Sequence, residues 1–346
     1  MDRISYLIRR ILLCIPTFIG ITVVCFALTR FLPGGPVETQ LMKMRGMGAS
    51  SSGPGERSAA VTESHKKELI KQFGFDKPLY EQYKIWLVDN CMGIKLKSYM
   101  QPDKTAGELI LSRMPVSIGF GLAAFICTYL VCIPLGISKA LRHGQFFDSA
   151  SSVLVFTGYA IPAFALAMVF KMLFCGTVEG LWDIFPIGGF CSEEASAAGG
   201  WTAFKDIVWH MFLPVVCYVS GAFAMLTLLM KNSLLDQIAA DYVRTVIAKG
   251  ATRRRAVWCH ALRNALIPIA TGFGEILAFV FAGSIIIETV FEIPGMGRLS
   301  WDAVNGRDYA VFMALLALTS SITLIGNLVS DFAYMLIDPR VDFSAK

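Results

Sequence analysis

Apolar and polar stretches alternate along this chain on a scale too long for a soluble core. Six apolar runs stand out, at residues 11–32, 115–141, 150–174, 209–230, 266–291 and 309–337. Each is long enough for a helix to cross roughly 30 Å of hydrocarbon, which takes about 20 residues. Inside a bilayer the backbone must satisfy its own hydrogen bonds, so helix is the expected form of all six. The pattern predicts an all-α integral membrane protein with about six transmembrane helices. The first run is expected to be a retained helix and not a signal peptide. It extends to Thr29, and Arg30-Phe31-Leu32-Pro33-Gly34-Gly35-Pro36 follows it in place of a small-residue cleavage site.

The long segment 33–114 behaves differently. Its Gly46–Gly55 stretch, rich in glycine and serine, predicts a flexible insert. Beyond it Leu69, Ile70, Phe73, Tyr80, Tyr83, Trp86 and Leu87 recur at near-helical spacing among charges. That spacing predicts short amphipathic helices resting on the membrane or on a partner.

Composition sharpens this picture. The 346 residues are 55% hydrophobic and only 16% charged, with mean hydropathy +0.58. Soluble domains carry about 25% charged residues. A net charge of +5 is mild and lacks the dense basic face of a nucleic-acid binder. Nine cysteines form no C-x-x-C pair, and His65, His143, His210 and His260 are scattered without metal-ligand spacing. Cys175 and Cys191 fall in or beside a segment where a disulfide is chemically allowed, but sequence supplies no geometry for one.

Charge also sets an expected orientation. Arg3, Arg9 and Arg10 precede the first run, and Lys139, Arg142 and His143 link the second and third. The link between the fourth and fifth holds Lys231, Arg244, Lys249, Arg253, Arg254, Arg255 and Arg263. Segment 176–208 is acidic, with Glu179, Asp183, Glu193, Glu194 and Asp206 against Lys205. Both termini are therefore expected in the cytoplasm, and 33–114 outside.

No phosphate-cradling G-x-x-x-x-G-K-[ST] loop, G-x-S-x-G or H-E-x-x-H occurs in the sequence. Ionisable residues at membrane depth are costly and tend to line pathways. Lys171, Glu288 and Asp331 sit near run ends, where a long side chain can reach an interface. Glu275 lies deeper and is the candidate pathway residue.

The segment 236–268 carries the most information. It reads as two short amphipathic helices, with Gly250 suited to the left-handed turn that ends the first and Thr252 to capping the second. Composition allows two uses: a rigid lever fitting a groove on a soluble partner, or a basic loop binding anionic lipid.

Here the sequence resembles a known family. Asp241-Tyr242-Val243-Arg244-Thr245, Ala248-Lys249-Gly250 and His260-Ala261-Leu262-Arg263-Asn264-Ala265-Leu266-Ile267-Pro268 resemble the coupling loop of dipeptide/oligopeptide permeases, the B-type membrane subunits of type I ABC importers. Phe73-Gly74-Phe75-Asp76-Lys77-Pro78-Leu79, Glu288-Thr289-Val290-Phe291, Pro294-Gly295-Met296-Gly297-Arg298, Arg307-Asp308-Tyr309 and Asp338-Pro339-Arg340-Val341-Asp342 are similar to further stretches of that family. The external insert and the C-terminus are most like the microcin C/peptide branch. Arg244-Thr245-Val246 replaces the Glu-Ala-Ala of the wider importer family, and Ala310 stands where proline is common.

The resemblance implies a division into an N-terminal tail and first helix (1–32), an external segment (33–114), a core permease domain (115–337) with coupling loop 231–265, and a C-terminal tail (338–346). It implies transport of peptides across the inner membrane, with no catalysis and no cofactor in this chain. ATP and magnesium would sit on two cytoplasmic ATPase partners. A second similar permease and an external peptide-binding protein would complete the assembly. Asp241, Tyr242, Arg244, Thr245, Ala248, Lys249, Gly250, Arg253 and Arg254 are the implied ATPase-coupling residues. The competing readings are a carrier or channel independent of an ATPase, and a nickel- or glutathione-importing permease of the same family.

Overall fold

The computed structural model describes residues 3–31, 76–272, 281 and 283–337. The insert 37–72, the segment 338–346 and Glu275 lie outside the described residues. Among those described, helices dominate, and extended pairing is confined to isolated bridges, Lys97 with Thr105 and Cys175 with Asp183.

Among the described residues, four helices are long and apolar enough to cross a membrane. They are α1 (Arg3–Phe31), α3 (Ala106–Leu141), α7 (Gly200–Ala239) and α14 (Tyr309–Ile337). Between the first two lies the short α2 (Leu79–Lys84). At 1.5 Å per residue the 36 residues of α3 and 40 of α7 run about 54 and 60 Å, well beyond the hydrocarbon thickness. Hydroxyls in α1 satisfy themselves locally: Thr17 donates to Leu13 O and Thr22 to Phe18 O, as an apolar setting requires.

Two expectations need correction. The run 150–174 is not one straight helix but α4 (Phe146–Ala160) and α5 (Ala163–Phe174), bent by 94°. Ile161 and Pro162 between them are extended (ψ 121° and 134°), the backbone that a proline favours in its predecessor, although Pro16, Pro115, Pro134 and Pro214 are accommodated inside helices. As a bent pair the two make a fifth candidate span.

The run 266–291 is also interrupted. Beyond α11 (Ile267–Thr271), Phe281 is helical, but Gly283 has φ +65° and Ser284 is extended, and only then does α12 (Ile285–Val290) begin. The stretch 273–280 lies outside the described residues.

The chain divides into two compact units. One comprises residues 13–113 and 299–321. Its core joins Phe26 of α1, Tyr83 and Trp86 of the external segment, and Met313 and Ala317 of α14. The Phe26 and Tyr83 rings meet edge to face at 5.5 Å. The predicted amphipathic helix is present here as α2 and a π-helical continuation, Ile85–Asp89. Buried Asp308 caps α14, accepting from the Ser98 hydroxyl and from Val311 N (3.3 Å).

The other unit comprises residues 1–12, 114–298 and 322–346. One of its cores packs Phe120 and Ala124 of α3, Ala167 of α5 and Met211, Cys217 and Val219 of α7 with Ile287, Phe291 and Ile293. Ahead of α7 sits α6 (Glu193–Ala198), capped by Ser192. Cys175 and Cys191 are both free thiols.

Candidate functional site

The helix expected to end at 230 continues to Ala239, since no breaker interrupts 231–239 and Leu234 is buried. Ala240 is extended (φ −68°, ψ 146°) and turns the chain into α8 (Asp241–Ala248). The inner face of α8 presents Val243 and Val246 to a core shared with Met230, Leu234, Leu235 and Ile238 of α7. Its outer face leaves Asp241, Tyr242, Arg244, Thr245, Ile247 and Ala248 exposed. Tyr242 donates to Gln237 Oε1 (2.7 Å) and Thr245 to Asp241 O (3.0 Å).

Gly250 ends α8 with φ +93°. Gly250 N donates to Ile247 O (2.9 Å) and Ala251 N to Val246 O (3.2 Å). This is the paired 5→2 and 6→1 bonding of a Schellman cap, which needs left-handed backbone at Gly250. Thr252 then opens the second helix, its hydroxyl accepting from Arg255 N (3.3 Å). That helix runs through α9 (Arg253–Arg255), a π-helical stretch (Ala256–Ala261) and α10 (Leu262–Ala265). Ala256, Val257, Ala261 and Ala265 face the α7 core, and Ser233 of α7 donates to Ala265 O (2.8 Å). The element is therefore a braced helix–turn–helix.

Its exposed face is basic: Arg244, Lys249, Arg253, Arg254 and Arg255 are all exposed. The pair of Arg244 with Asp241 spans 3.6 Å in open solvent and adds little stability. Three arginines in a first helical turn oppose the helix dipole, which favours anions there. Their placement there is unfavourable in the isolated chain.

The structure brings all the expected coupling residues, 241–254, onto this one element. It also gives roles to charges that the sequence placed near interfaces. The Lys171 ammonium caps α12 at Val290 O (2.7 Å) and meets the exposed Glu292 (3.3 Å). Asp331 pairs with Arg10. Glu288 is fully buried and accepts from Ser284 N (3.1 Å), Gly297 N and Arg298 N (2.8 Å). It thereby satisfies the free amides that open α13 (Met296–Asn305). Around it, a Cβ on Gly295 would lie 2.5 Å from the carboxylate.

Sequence reasoning missed a second group altogether, Lys139, Asp148 and Lys231. Its signal was a lone acid flanked by basic residues at apolar run ends. An apolar cavity of about 470 Å³ between α3 and α7, lined by residues such as Ala123, Val131, Met211 and Val215, offers little polar surface to orient a peptide.

Residues 132–343 match the family described as "Binding-protein-dependent transport system inner membrane component". The chain is 36% identical over 363 aligned positions to the peptidoglycan transport system permease protein YejB of Agrobacterium fabrum, covering 99% of each. It is 36% identical over 366 positions to the inner membrane ABC transporter permease protein YejB of Escherichia coli, covering 99% of this chain and 100% of that one. Identity to the Escherichia coli dipeptide transport system permease protein DppB is 31% over 357 positions, with 98% of each covered.

Proposed function

The chain belongs to the binding-protein-dependent transport system inner membrane components, the permeases of ABC importers, and from that premise we propose that it imports peptides as one of two paired permeases. It is a multi-pass inner membrane protein of a transport family, not a catalytic one. The relatives are named for peptidoglycan, dipeptide and oligopeptide transport, and the chemistry common to those substrates is the peptide linkage.

The observation that carries the mechanism is the braced, basic helix–Gly–helix element. In this reading both termini are cytoplasmic, and the element docks into an acidic cleft on an ATPase subunit. Arg244, Lys249, Arg253 and Arg254 make the polar contacts, and Gly250 holds the two helices at their angle. ATP and magnesium are held by two ATPase partners. Nucleotide binding draws the ATPases together, the docked elements move with them, and the permease pair switches between inward-open and outward-open states. An external binding protein delivers the peptide. Glu275 remains the candidate pathway residue.

Affinity purification of the tagged chain in mild detergent, followed by mass spectrometry, tests this. ATPase subunits and a second permease should co-purify, and should be lost when 241–255 is scrambled. A chain that emerges alone, under conditions that keep a known importer intact, sinks the reading. Uptake competed by peptides, and not by nickel or glutathione, would support the substrate class.

A further inference from the structure

The cluster of Lys139, Asp148 and Lys231 lies apart from the basic docking face, and it is an expensive way to join helices. The Lys139 side chain is 1% exposed. Its ammonium donates to Asp148 O (2.8 Å), Ser151 Oγ (2.9 Å) and Ser152 Oγ (2.7 Å), so all three protons are placed. Lys231 donates to both Asp148 carboxylate oxygens at 2.8 Å. Gly144 N adds a bond to Oδ2 (3.2 Å), and His143 stands 3.3 Å from the same oxygen. Lys139 Nζ also stands 3.2 Å from Asp148 Oδ1, so two lysines face one carboxylate in a site largely closed to water.

Burying these ions forfeits their hydration, and apolar residues of similar volume hold helices together equally well. What the ions add is direction. Several short, charge-assisted hydrogen bonds converging on Asp148 from two helices restrict direction as well as distance, whereas apolar surfaces can slide.

The three residues come from three helices: Lys139 from the end of α3, Asp148 from the first turn of α4, and Lys231 from α7. Beside them α3 and α7 touch at backbone range, since a Cβ on Gly136 would lie 2.6 Å from Met230 Cβ and 2.9 Å from Thr227 O. The turns of α7 that follow Lys231 carry Leu234, Leu235 and Ile238 into the core that grips α8 and the second short helix. Displacement of the helix–Gly–helix element therefore bears directly on this end of α7.

We propose that Lys139, Asp148 and Lys231 are the joint through which movement of that element is passed from α7 to α3 and α4. They are positioning residues, and the inference rests on the coupling reading above. Apolar packing alone would keep the helices together but let α7 slip against its neighbours, so ATP would be hydrolysed with little transport.

The test uses the whole importer, reconstituted in liposomes with its ATPases, second permease and binding protein, and radiolabelled dialanine and trialanine as probes. Asp148→Asn strands two buried cations and can fail to fold. The decisive variant is therefore the combined Lys139→Met, Asp148→Leu, Lys231→Met, which removes the charges at similar volume. It should assemble and retain its ATPases. Peptide uptake per ATP hydrolysed should nevertheless fall about tenfold, within the usual range of a coupling effect. Unchanged uptake per ATP in an assembled triple variant overturns the joint and leaves the docking reading intact. ATPases that fail to co-purify with the unmodified chain overturn both.

Discussion

Replacing Gly250 with valine puts a β-branched side chain on a backbone held at φ +93°. An L-residue in left-handed backbone costs about 1–2 kcal/mol, and a β-branched one reaches about 3 kcal/mol, near the upper end for such strain. Nothing lies within 4 Å of a Cβ built at this position, so in the free chain the whole cost is conformational. The strained turn loses its bonds from Gly250 N and Ala251 N, and α8 frays at its end. Val243 and Val257 stay anchored in the core, so the chain still folds and inserts. The angle between the two short helices is lost, and ATPase docking should weaken about 30- to 150-fold for Gly250→Val at about 1.4 kcal/mol per decade, and about tenfold for Gly250→Ala. Docking can be measured by titrating labelled ATPase onto permease in nanodiscs. Asparagine separates two causes, since it tolerates left-handed backbone better than alanine. If conformation governs, affinity falls in the order wild type, Gly250→Asn, Gly250→Ala, Gly250→Val. If Gly250→Asn binds worse than Gly250→Ala, the partner is excluding bulk and the conformational account is wrong. Wild-type affinity in Gly250→Val would refute the idea that this turn sets the docking geometry.

Other positions give independent tests. Thr252→Ala removes the cap of the second helix at a cost of about 1 kcal/mol, and hydrogen exchange at the amide of Arg255 should quicken several-fold; unchanged protection would count against the cap. Glu288→Ala strands the amides of Ser284, Gly297 and Arg298, costing about 3 kcal/mol or more. The melting midpoint in detergent should drop clearly, and by less in Glu288→Gln, which keeps an acceptor; equal midpoints would disprove the buried capping role. Cys91 and Cys259 are both exposed, so an impermeant maleimide on spheroplasts should label Cys91 and spare Cys259 until the membrane is opened, and the reverse order would invert the proposed topology. Burial and the neighbouring Asp206 carboxylate push the Cys191 thiol above its ordinary range. Less thiolate is then present at neutral pH, so labelling of Cys191 should be slow there and should still be rising at alkaline pH where an ordinary thiol has levelled off; a rate that levels off with an ordinary thiol would contradict that environment.

The membrane class, the position of most spans and the helix–Gly–helix form of 241–265 were legible in the chain because their causes are local. Apolar run length reports the cost of an unsatisfied backbone in lipid, and that cost can be read within one run. Gly250 and Thr252 likewise act within a few residues, so their left-handed turn and cap were visible in advance. Pro162 carried only a weak signal: it disfavours helix at Ile161, yet Pro16, Pro115, Pro134 and Pro214 sit inside unbroken helices, so the 94° bend between α4 and α5 was not readable from the proline alone. What the sequence could not disclose was which distant charges meet. Asp148 and Lys231 are 83 residues apart, and Lys171 and Val290 are 119 apart. Glu288 looked like an acid close to an interface, whereas it is enclosed by the glycines and free amides of the turn it caps. A hydropathy pattern records how apolar each position is, not which helix ends come together. Burial of a charge is tolerable only where packing brings it a partner, so the three-helix joint and the capped turn were decided by the tertiary structure alone.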